Sequence, residues 1–385
     1  MTGREKIQAA FEPEGSPEPG VVTCYDTIFL RDHWRELTAV PWWYAWSGCM
    51  DDEEAWIGDF LDRSGLDWLT VKSCPAREQR AARRFEPRTD GVWLMDDHAG
   101  TEERLSEPAV SGADTSSAHS VHTDPDQLPA TPADVDARIT APQPFCRESF
   151  LAAGRHDTAA MVAQRFQVFR YGHISSPLWR LYSVFGYEGM MVFLTRDPGL
   201  VAHATQRILA TTREQIRMIA ALGADGVWIE ECLTDQISPG MFRALNLPLV
   251  QACVHEIGAM GMKSVYYYCG NPNDRLQAII DSGADALHFE ESKKDFVIDV
   301  ASIVSQVRGR CVVCGNLDAI GLLPKGPEAN LRAEVRRQLR AGQANSNRFV
   351  MSTGSPITPA TPVERVRRYA DMVREEARAL HRAGS

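Results

Sequence analysis

From about residue 170 onward, short apolar runs alternate with longer stretches in which apolar residues recur at helical spacing. This alternation is typical of βαβ units, which build a parallel sheet. The pattern predicts strands at residues 172–175, 226–229, 264–268, 286–289, 311–314 and 349–351. It predicts helices at residues 198–222, 240–260, 273–282, 328–341 and 363–383.

Two of the predicted helix-to-strand junctions have nearly the same sequence. One reads Leu-Gly-Ala-Asp-Gly-Val-Trp-Ile from Leu222, and the other reads Ser-Gly-Ala-Asp-Ala-Leu-His-Phe from Ser282. A glycine directly after a helix supplies a left-handed C-cap, and the apolar run that follows enters the sheet. The repetition favours a fold built from similar units.

The amino half contains two predicted core strands, at residues 21–24 and 67–71. With the six later strands they make eight, which predicts an α/β fold of the (β/α)8 TIM-barrel type. An open doubly wound sheet would give a similar alternation. However, no G-x-G-x-x-G follows the first strand and no P-loop motif occurs, so that alternative lacks its main support.

Two segments of the amino half are predicted to lie outside the barrel wall. Residues 83–85 and 92–95 resemble the strands of an inserted β-hairpin. Residues 106–136 have almost no large apolar side chains, which predicts a long surface loop rather than a domain boundary. The whole chain, residues 1–385, is therefore interpreted as a single barrel domain.

The composition, 44% hydrophobic and 24% charged, is that of an ordinary globular protein. A net charge of -10 and the absence of mixed basic and aromatic stretches argue against nucleic acid as a partner. No apolar run approaches the roughly 18 residues that span a bilayer, and the first residues lack a signal-peptide pattern. These features predict a cytoplasmic protein without a membrane partner, and its nine scattered cysteines are expected to be reduced.

Polar side chains follow five of the predicted strands, at the end where a barrel of this kind has its reactive face. They are Glu230, Glu231 and Cys232; Cys269, Gly270 and Asn271; Glu290, Glu291 and Ser292; Asn316 and Asp318; and Ser352, Thr353 and Ser355. We expect them to converge on one rim and to act on a small-molecule substrate. Glu230, Glu231 and Asp318 are the candidate catalytic acids or bases, and Asn316 and Ser355 are candidate substrate contacts.

Structural roles are the alternative for these residues, because acidic side chains at strand ends often cap a helix or pair with a cation. Cys269 ends a strand beside a glycine, and Tyr267 lies on the same face of that strand, so both are either site residues or core. His288 is a candidate substrate contact or a satisfied barrel-lining histidine. Cys311 and Cys314 form a C-x-x-C in a strand whose alternation points them to opposite faces, which argues against a redox or zinc pair.

Five motifs in the carboxyl half, within residues 170–375, have a characteristic order and spacing. They are Gly223-Ala-Asp-Gly-Val-Trp-Ile-Glu, Ile237-Ser-Pro-Gly-Met-Phe, Tyr267-Tyr-Cys-Gly, Gly315-Asn-Leu-Asp and Ser355-Pro-Ile-Thr-Pro-Ala-Thr-Pro. In these motifs the chain resembles the uroporphyrinogen decarboxylase-like superfamily, which includes the heme-pathway decarboxylase and the corrinoid-dependent methyltransferases. The resemblance is nearer to the methyltransferase branch.

That branch uses a zinc ion to bind and activate a thiol substrate. The resemblance places Cys269 at the family's strand-five cysteine ligand, and Glu291 at a glutamate ligand of the more distant methionine synthase relatives. Tyr267 and Ser355 stand where the branch has its histidine and its last cysteine, and both are poor zinc ligands. The resemblance thus implies zinc at Cys269 and Glu291, and a corrinoid carried by a separate protein, because no D-x-H-x-x-G motif occurs in this chain.

The decarboxylase branch binds its porphyrinogen through an R-x-x-x-R on the loop after the first strand. Here that loop reads Tyr25-Asp-Thr-Ile-Phe-Leu, so uroporphyrinogen is not the expected substrate. The leading hypothesis is an enzyme of methyl transfer or demethylation with Cys269 and Glu291 at its centre. The second is a divergent, metal-independent decarboxylase or other lyase that uses the strand-end carboxylates. The third is a barrel that binds a small ligand without turnover.

Overall fold

Eight parallel strands form one sheet in the computed structural model, which describes residues 1–110, 123–293 and 296–384. The strands in chain order are β1 (Gly20–Val21), β2 (Trp68–Thr70), β3 (Arg83–Arg88), β4 (Gly91–Asp96), β5 (Thr101–Leu105), β6 (Phe169–Ser175), β7 (Gly226–Glu231), β8 (Lys263–Tyr268), β9 (Ala286–Phe289), β10 (Val312–Cys314) and β11 (Phe349–Met351). The barrel sheet has the order β1-β11-β10-β9-β8-β7-β6-β2. The predicted TIM barrel is therefore confirmed.

Helices run between the strands and cover the outside of the barrel. They are α1 (Gly3–Phe11), α2 (Asp26–Asp32), α3 (Trp34–Leu37), α4 (Tyr44–Ser47), α5 (Met50–Ser64), α6 (Arg77–Ala82), α7 (Pro132–Arg138), α8 (Arg147–Ala152), α9 (Asp157–Arg165), α10 (Leu181–Arg196), α11 (Pro198–Ala221), α12 (Pro239–Met241), α13 (Leu247–Ala259), α14 (Leu276–Ile280), α15 (Val300–Val307), α16 (Leu322–Lys325), α17 (Glu328–Ala344) and α18 (Val363–Gly384). Among the described residues, no helix is both long enough and apolar enough to cross a membrane.

The helix predicted at residues 240–260 is divided in the structure. A π-helical turn, Phe242–Asn246, separates α12 from α13. Pro248, in the first turn of α13, has no N–H to continue an α-helical ladder, and the wider turn lies directly before it. The turn also places Asn246 against the sheet, where its side chain is fully buried.

Side chains along the barrel strands alternate between the lumen and the layer under the helices. Trp228 on β7 and Tyr267 on β8 belong to the cluster inside the barrel, whereas Tyr266 belongs to the outer core. Cys311 and Cys314 separate in the same way, with Cys311 in the outer core and Cys314 in the lumen. Their predicted opposite orientation is confirmed.

Two buried aspartates join β1 to β2, the strands at the ends of the sheet order. At the amino end of β2, Asp67 donates its backbone N–H to Val21 O at 2.8 Å, and its carboxylate accepts the Val21 N–H at 2.8 Å. At the carboxyl end, Asp26 accepts the N–H of Thr70 at 2.7 Å, the Thr70 hydroxyl at 2.6 Å and the Tyr171 hydroxyl at 2.9 Å. Side chains therefore complete the wall where β1 and β2 meet.

The inserted segment is larger than the predicted hairpin. Strands β3, β4 and β5 form a three-stranded antiparallel sheet, because residues 101–105 add a third strand to the predicted pair.

The predicted surface loop at residues 106–136 falls in part outside the described residues. Its later part differs from the prediction, since Leu128 and Val135 are buried and α7 packs against α11. Leu128 and Val135 therefore pack into the core although most of this segment is polar.

Replacing Asp26 with alanine is expected to lower the free energy of unfolding by about 2–4 kcal/mol, because it leaves three buried or partly buried donors without their acceptor. Urea unfolding followed by circular dichroism measures the change. D62A, at an exposed aspartate of α5, is the matched control and should change stability by less than about 0.5 kcal/mol. A D26A protein as stable as the wild type would show that the β1–β2 junction does not depend on this carboxylate.

Candidate active site

Polar side chains meet inside the barrel at the carboxyl ends of its strands. We call this group the mouth cluster, and its members are Tyr25, His173, Glu230, Cys232, Cys269 and Glu290. Strand alternation explains the convergence, because Glu230 and Cys269 each lie two residues beyond a lumen-facing aromatic residue, Trp228 or Tyr267. This is the end of the barrel at which TIM-barrel enzymes place their reactive groups.

Glu230 is the centre of the hydrogen bonds in the mouth cluster. Its carboxylate accepts a hydrogen bond from the Tyr25 hydroxyl and lies 3.0 Å from His173 Nε2 and 3.7 Å from Cys232 Sγ. Burial alone would raise the pKa of Glu230, but the hydrogen bond and charge of His173, with the Tyr25 and Cys232 hydrogen bonds, hold it below the usual glutamate value. Glu230 is therefore ionised at neutral pH, and the exposed His173 connects it to solvent.

Tyr25 follows β1 in the left-handed backbone region, at φ 52° and ψ 64°. This conformation is unfavourable for a residue with a Cβ and is found where the surroundings enforce it. Its ring meets Trp228 and Tyr267 edge-on, with centroid distances of 4.8 Å and 5.7 Å. Burial raises the pKa of Tyr25, so the hydroxyl stays protonated and donates a hydrogen bond to Glu230.

Two thiols and a second carboxylate extend the cluster. Cys232 and Cys269 are both half-buried, and they lie side by side at the ends of adjacent strands. The proximity of Cys269, together with burial, raises the pKa of Cys232. Glu290 accepts the Gly270 N–H at 2.9 Å and forms an ion pair with Lys293. The backbone next to Cys269 is thereby tied to the loop after β9.

Aromatic rings form a floor under the mouth cluster. Trp228 stacks on Tyr267 at 4.7 Å, and Tyr267 lies 4.8 Å from the His288 ring. The Tyr267 hydroxyl donates to Gly354 O at 2.9 Å. Burial lowers the pKa of His288 to about 4, so the ring is neutral; Nδ1 accepts from Trp228 Nε1 at 3.4 Å, and Nε2 donates to Thr353 O at 3.0 Å.

The structure therefore places two predicted substrate contacts below the cluster rather than in it. Tyr267 is 1% exposed and His288 is fully buried. Because their polar atoms already have partners within the barrel, they are positioned to support the mouth cluster, not to touch a substrate directly.

Glu291 and Ser355 lie beside the cluster with unpaired polar atoms. Both carboxylate oxygens of Glu291 and the Ser355 hydroxyl are buried without a hydrogen-bond partner among the described residues. Burial raises the pKa of Glu291, and the backbone N–H of Glu291, Lys293 at 4.0 Å and the neighbouring Ser355 hydroxyl oppose the rise. Gly354 permits this approach, because a Cβ there would lie 2.1 Å from Glu291 N. Buried polar atoms normally have partners, so these atoms mark a place where a polar ligand group would be held.

Glu231, a predicted catalytic acid or base, points away from the mouth cluster. It faces the helix layer, is fully buried, and accepts hydrogen bonds from Ser176 at 2.8 Å, Asn246 at 2.6 Å and Tyr266 at 3.0 Å. Burial raises its pKa to about 7 in spite of these bonds. In this position Glu231 joins two strands to the π-helical turn, and a direct catalytic role does not follow from its geometry.

Asp318 and Asn316 also have structural partners. The Asp318 carboxylate accepts the backbone N–H groups of residues 320–322 at 2.8–3.0 Å and so caps the turn into α16. Asn316 is buried and donates to the carbonyl oxygens of Glu290 at 2.9 Å and Ile298 at 3.0 Å. Asp318 is therefore placed as a cap, and Asn316 fixes the loop that presents Glu290; their predicted direct roles stay predictions.

The sequence does not identify Tyr25 or Lys293 as site residues, and for His173, as for His288, it leaves open a barrel-lining role or a ligand role. In the structure His173 lies on the lumen side of β6 near the carboxyl end. Tyr25 has no signal in the sequence, since its direction depends on a left-handed backbone at a non-glycine residue. Lys293 lies in a loop, and only the folded chain returns it to Glu290.

A zinc site of the type that the resemblance implies does not fit the described residues. They contain no group of three or more His, Cys, Asp or Glu side chains placed to hold a metal ion. The Tyr267 hydroxyl is bonded to Gly354 O and keeps its proton, because burial raises its pKa. Cys269 and Glu291 remain, whereas catalytic zinc sites use about three protein ligands. No reaction step is therefore assigned to zinc.

The barrel and the polar cluster at its carboxyl end define this protein as a TIM barrel with an enzyme-like site. The family model for uroporphyrinogen decarboxylase (URO-D) matches residues 122–376, which is well over half of the chain. The chain therefore belongs to the uroporphyrinogen decarboxylase family, and the resemblance seen in its motifs is confirmed.

Individual relatives support the family and the fold but not a particular activity. The chain is 28% identical over 183 residues to the uroporphyrinogen decarboxylase of Roseiflexus sp., and 24% identical over 173 residues to that of Thermus thermophilus; the matches cover 46% and 45% of this chain. It spans about half the length of these curated relatives, 50% and 48%. A methyltransferase from Methanosarcina mazei aligns over 99% of both chains with a TM-score of 0.63 and 18% identity, which shows a shared fold.

The titration of Glu231 predicts a pH dependence of stability. An acid whose pKa is higher in the folded state, here about 7 against 4.5, lowers the stability as pH rises between the two values. The free energy of unfolding should therefore fall between about pH 5 and pH 7, and E231Q should flatten this fall in urea unfolding curves. E364Q, at an exposed glutamate of α18, should keep the wild-type slope. If E231Q kept the wild-type pH dependence of the free energy of unfolding, Glu231 would not be its origin.

The small number of potential metal ligands at the site also predicts the zinc content of the protein. We expect purified wild-type protein to hold well below one equivalent of zinc by inductively coupled plasma mass spectrometry, because too few ligands converge. C269A should give the same value. Near-stoichiometric zinc that is lost in C269A would show instead that Cys269 recruits other ligands when the metal is present.

Proposed function

We propose that the mouth cluster is the active site of an enzyme that transfers or removes a methyl group on a small substrate. The observation that supports this proposal is the hydrogen-bonded group Tyr25–Glu230–His173, which joins a buried carboxylate to an exposed imidazole at the barrel mouth. The relative with the same fold along its whole length is named a methyltransferase. A corrinoid held by a separate protein would accept the methyl group, as the resemblance implies.

The three residues of this group divide the proton transfer between them. When a methyl group leaves an oxygen, nitrogen or sulfur atom, that atom must usually gain a proton, which a positioned acid can supply. His173 is the residue placed to deliver it, because its ring is exposed to solvent and can be protonated again there. Glu230 stabilises the protonated imidazole and fixes its orientation, and Tyr25 holds Glu230 in place.

Glu291 and Ser355 are placed to orient the substrate. Their unpaired buried oxygen atoms would be satisfied by an N–H or O–H group of a bound molecule. Lys293 adds a positive charge near the same point through its contacts with Glu290 and Glu291. A small substrate with a hydrogen-bond donor, and with an acidic group or a partial negative charge, matches this arrangement.

E230Q is expected to reduce kcat/KM by about 100-fold or more, because it removes the charge that supports a protonated His173. The assay offers methylated amines, thioethers and methyl ethers to the protein with reduced free cobalamin, whose absorbance changes on methylation. Y25F should have a smaller effect, about tenfold, since it removes one hydrogen bond to Glu230.

E148Q, at an exposed glutamate of α8, is the matched control and should have wild-type activity. Full activity in both E230Q and H173Q would remove the proton-transfer group from the mechanism. An active wild type with an inactive E230Q of unchanged stability would support it.

A second candidate is a metal-independent decarboxylase or other lyase that uses the same acid and base. The relatives named as decarboxylases and the Lys293 charge at the mouth favour it, since a cation can hold a substrate carboxylate. Uroporphyrinogen itself is not proposed, because no arginine of the described residues forms a hydrogen bond or ion pair with the mouth cluster. Release of carbon dioxide from small carboxylic acids, without methyl transfer, would favour this candidate.

A further inference from the structure

Cys232 and Cys269 form a pair of neighbouring thiols that the proposed proton transfer does not use. Strands β7 and β8 are parallel, with Glu230 opposite Tyr267 and Glu231 opposite Tyr268. The next step of this register places Cys232 beside Cys269, and the Cys269 N–H still donates to Glu231 O at 2.8 Å. Both side chains face the lumen, because each lies two residues beyond a member of the mouth cluster or its floor.

The spacing of adjacent strands suits a disulfide. Neighbouring strands lie about 4.8 Å apart, within the roughly 4.4–6.8 Å between Cα atoms that disulfides require. The strand register places the two cysteines side by side, and both side chains are half-buried at the barrel mouth, where a small reagent can reach them. The C-x-x-C spacing of Cys311 and Cys314 would also suggest a disulfide. However, Cys311 lies in the outer core and Cys314 in the lumen.

The backbone fixes the direction of both sulfur atoms. Leu233, directly after Cys232, has a positive φ of 62°, and Gly270, directly after Cys269, has a φ of 112°. A side chain at Gly270 would place its Cβ 2.5 Å from Asp235 Cγ, so the turn there depends on glycine. Each strand thus turns away immediately after its cysteine, which leaves the two thiols at the rim.

We propose that Cys232 and Cys269 are a reversible dithiol–disulfide pair at the barrel mouth, oxidised by a low-molecular-weight disulfide such as oxidised glutathione. One cysteine sulfur, as the thiolate, attacks the disulfide and forms a mixed disulfide, and one glutathione leaves as a thiol. The second cysteine sulfur then attacks the first and releases the other glutathione. Two electrons and two protons pass from the protein to the reagent.

This inference does not depend on the proposed function, and it gives Cys269 a role at a position where the family's zinc ligands are incomplete. It is tested on the full chain with excess oxidised glutathione, followed by alkylation without reduction, proteolysis and mass spectrometry. The expected product is a peptide pair joined between Cys232 and Cys269, lighter by two hydrogen atoms and separated by dithiothreitol. In C232S, glutathione should remain attached to Cys269 because the second sulfur is missing.

C146S, at an exposed cysteine, is the matched control and should still form the Cys232–Cys269 link. The exposed Cys49 and Cys146 also report that the reagent is active, because they should carry glutathione in the wild type. The proposal is overturned if they are modified while Cys232 and Cys269 remain unlinked. Phenylarsine oxide, which bridges neighbouring thiols, gives a second readout: wild type should bind one equivalent that both C232S and C269S lose, and equal binding in all three would also contradict the pair.

Discussion

The in-register pairing of β6 through β9 is the constraint on which the candidate site depends. Side chains alternate along each strand, so a fixed register decides which residues of four neighbouring strands face the lumen. That register turns the side chains of His173, Glu230 and Cys269 toward the lumen near the carboxyl ends of their strands. A shift of one residue on β7 would turn Glu230 toward the helix layer and Glu231 toward the lumen, and it would also turn Trp228 and Cys232 away from the lumen.

The hydrogen bonds that close the barrel between β1 and β2 differ from those between the other strands. Most neighbouring strands are joined by backbone ladders, whereas β1 and β2 are tied through the carboxylates of Asp67 and Asp26. Asp26 follows Tyr25 directly, so the residue that completes the wall also anchors the residue that bonds Glu230. Local structure and site geometry are coupled at this one turn.

The sequence was sufficient to predict the barrel and to find the rim, but not to assign each residue a direction. The pattern of apolar residues predicted the positions of β6 to β11. The residues that follow the predicted strands included Glu230, Cys269 and Glu290, which lie at the barrel mouth. The run Ile229-Glu-Glu-Cys does not reveal which glutamate faces inward, because that depends on pairing with β6 and β8. Asp318 caps the turn directly after it, whereas the role of Asn316 depends on carbonyl groups of a distant loop. The burial of Val135 depends on tertiary contacts that the polar composition of its segment does not predict.

The aromatic floor is held by bonds of its own. Tyr267 is fixed by Gly354 O, and Trp228 is fixed through His288 to Thr353 O, without help from the charged groups above them. Changes among the charged mouth residues therefore need not disturb the packing below. In a family with this barrel, single substitutions can therefore change the reactive groups while the fold is retained. The chemistry of such proteins can diverge without a change in their structure.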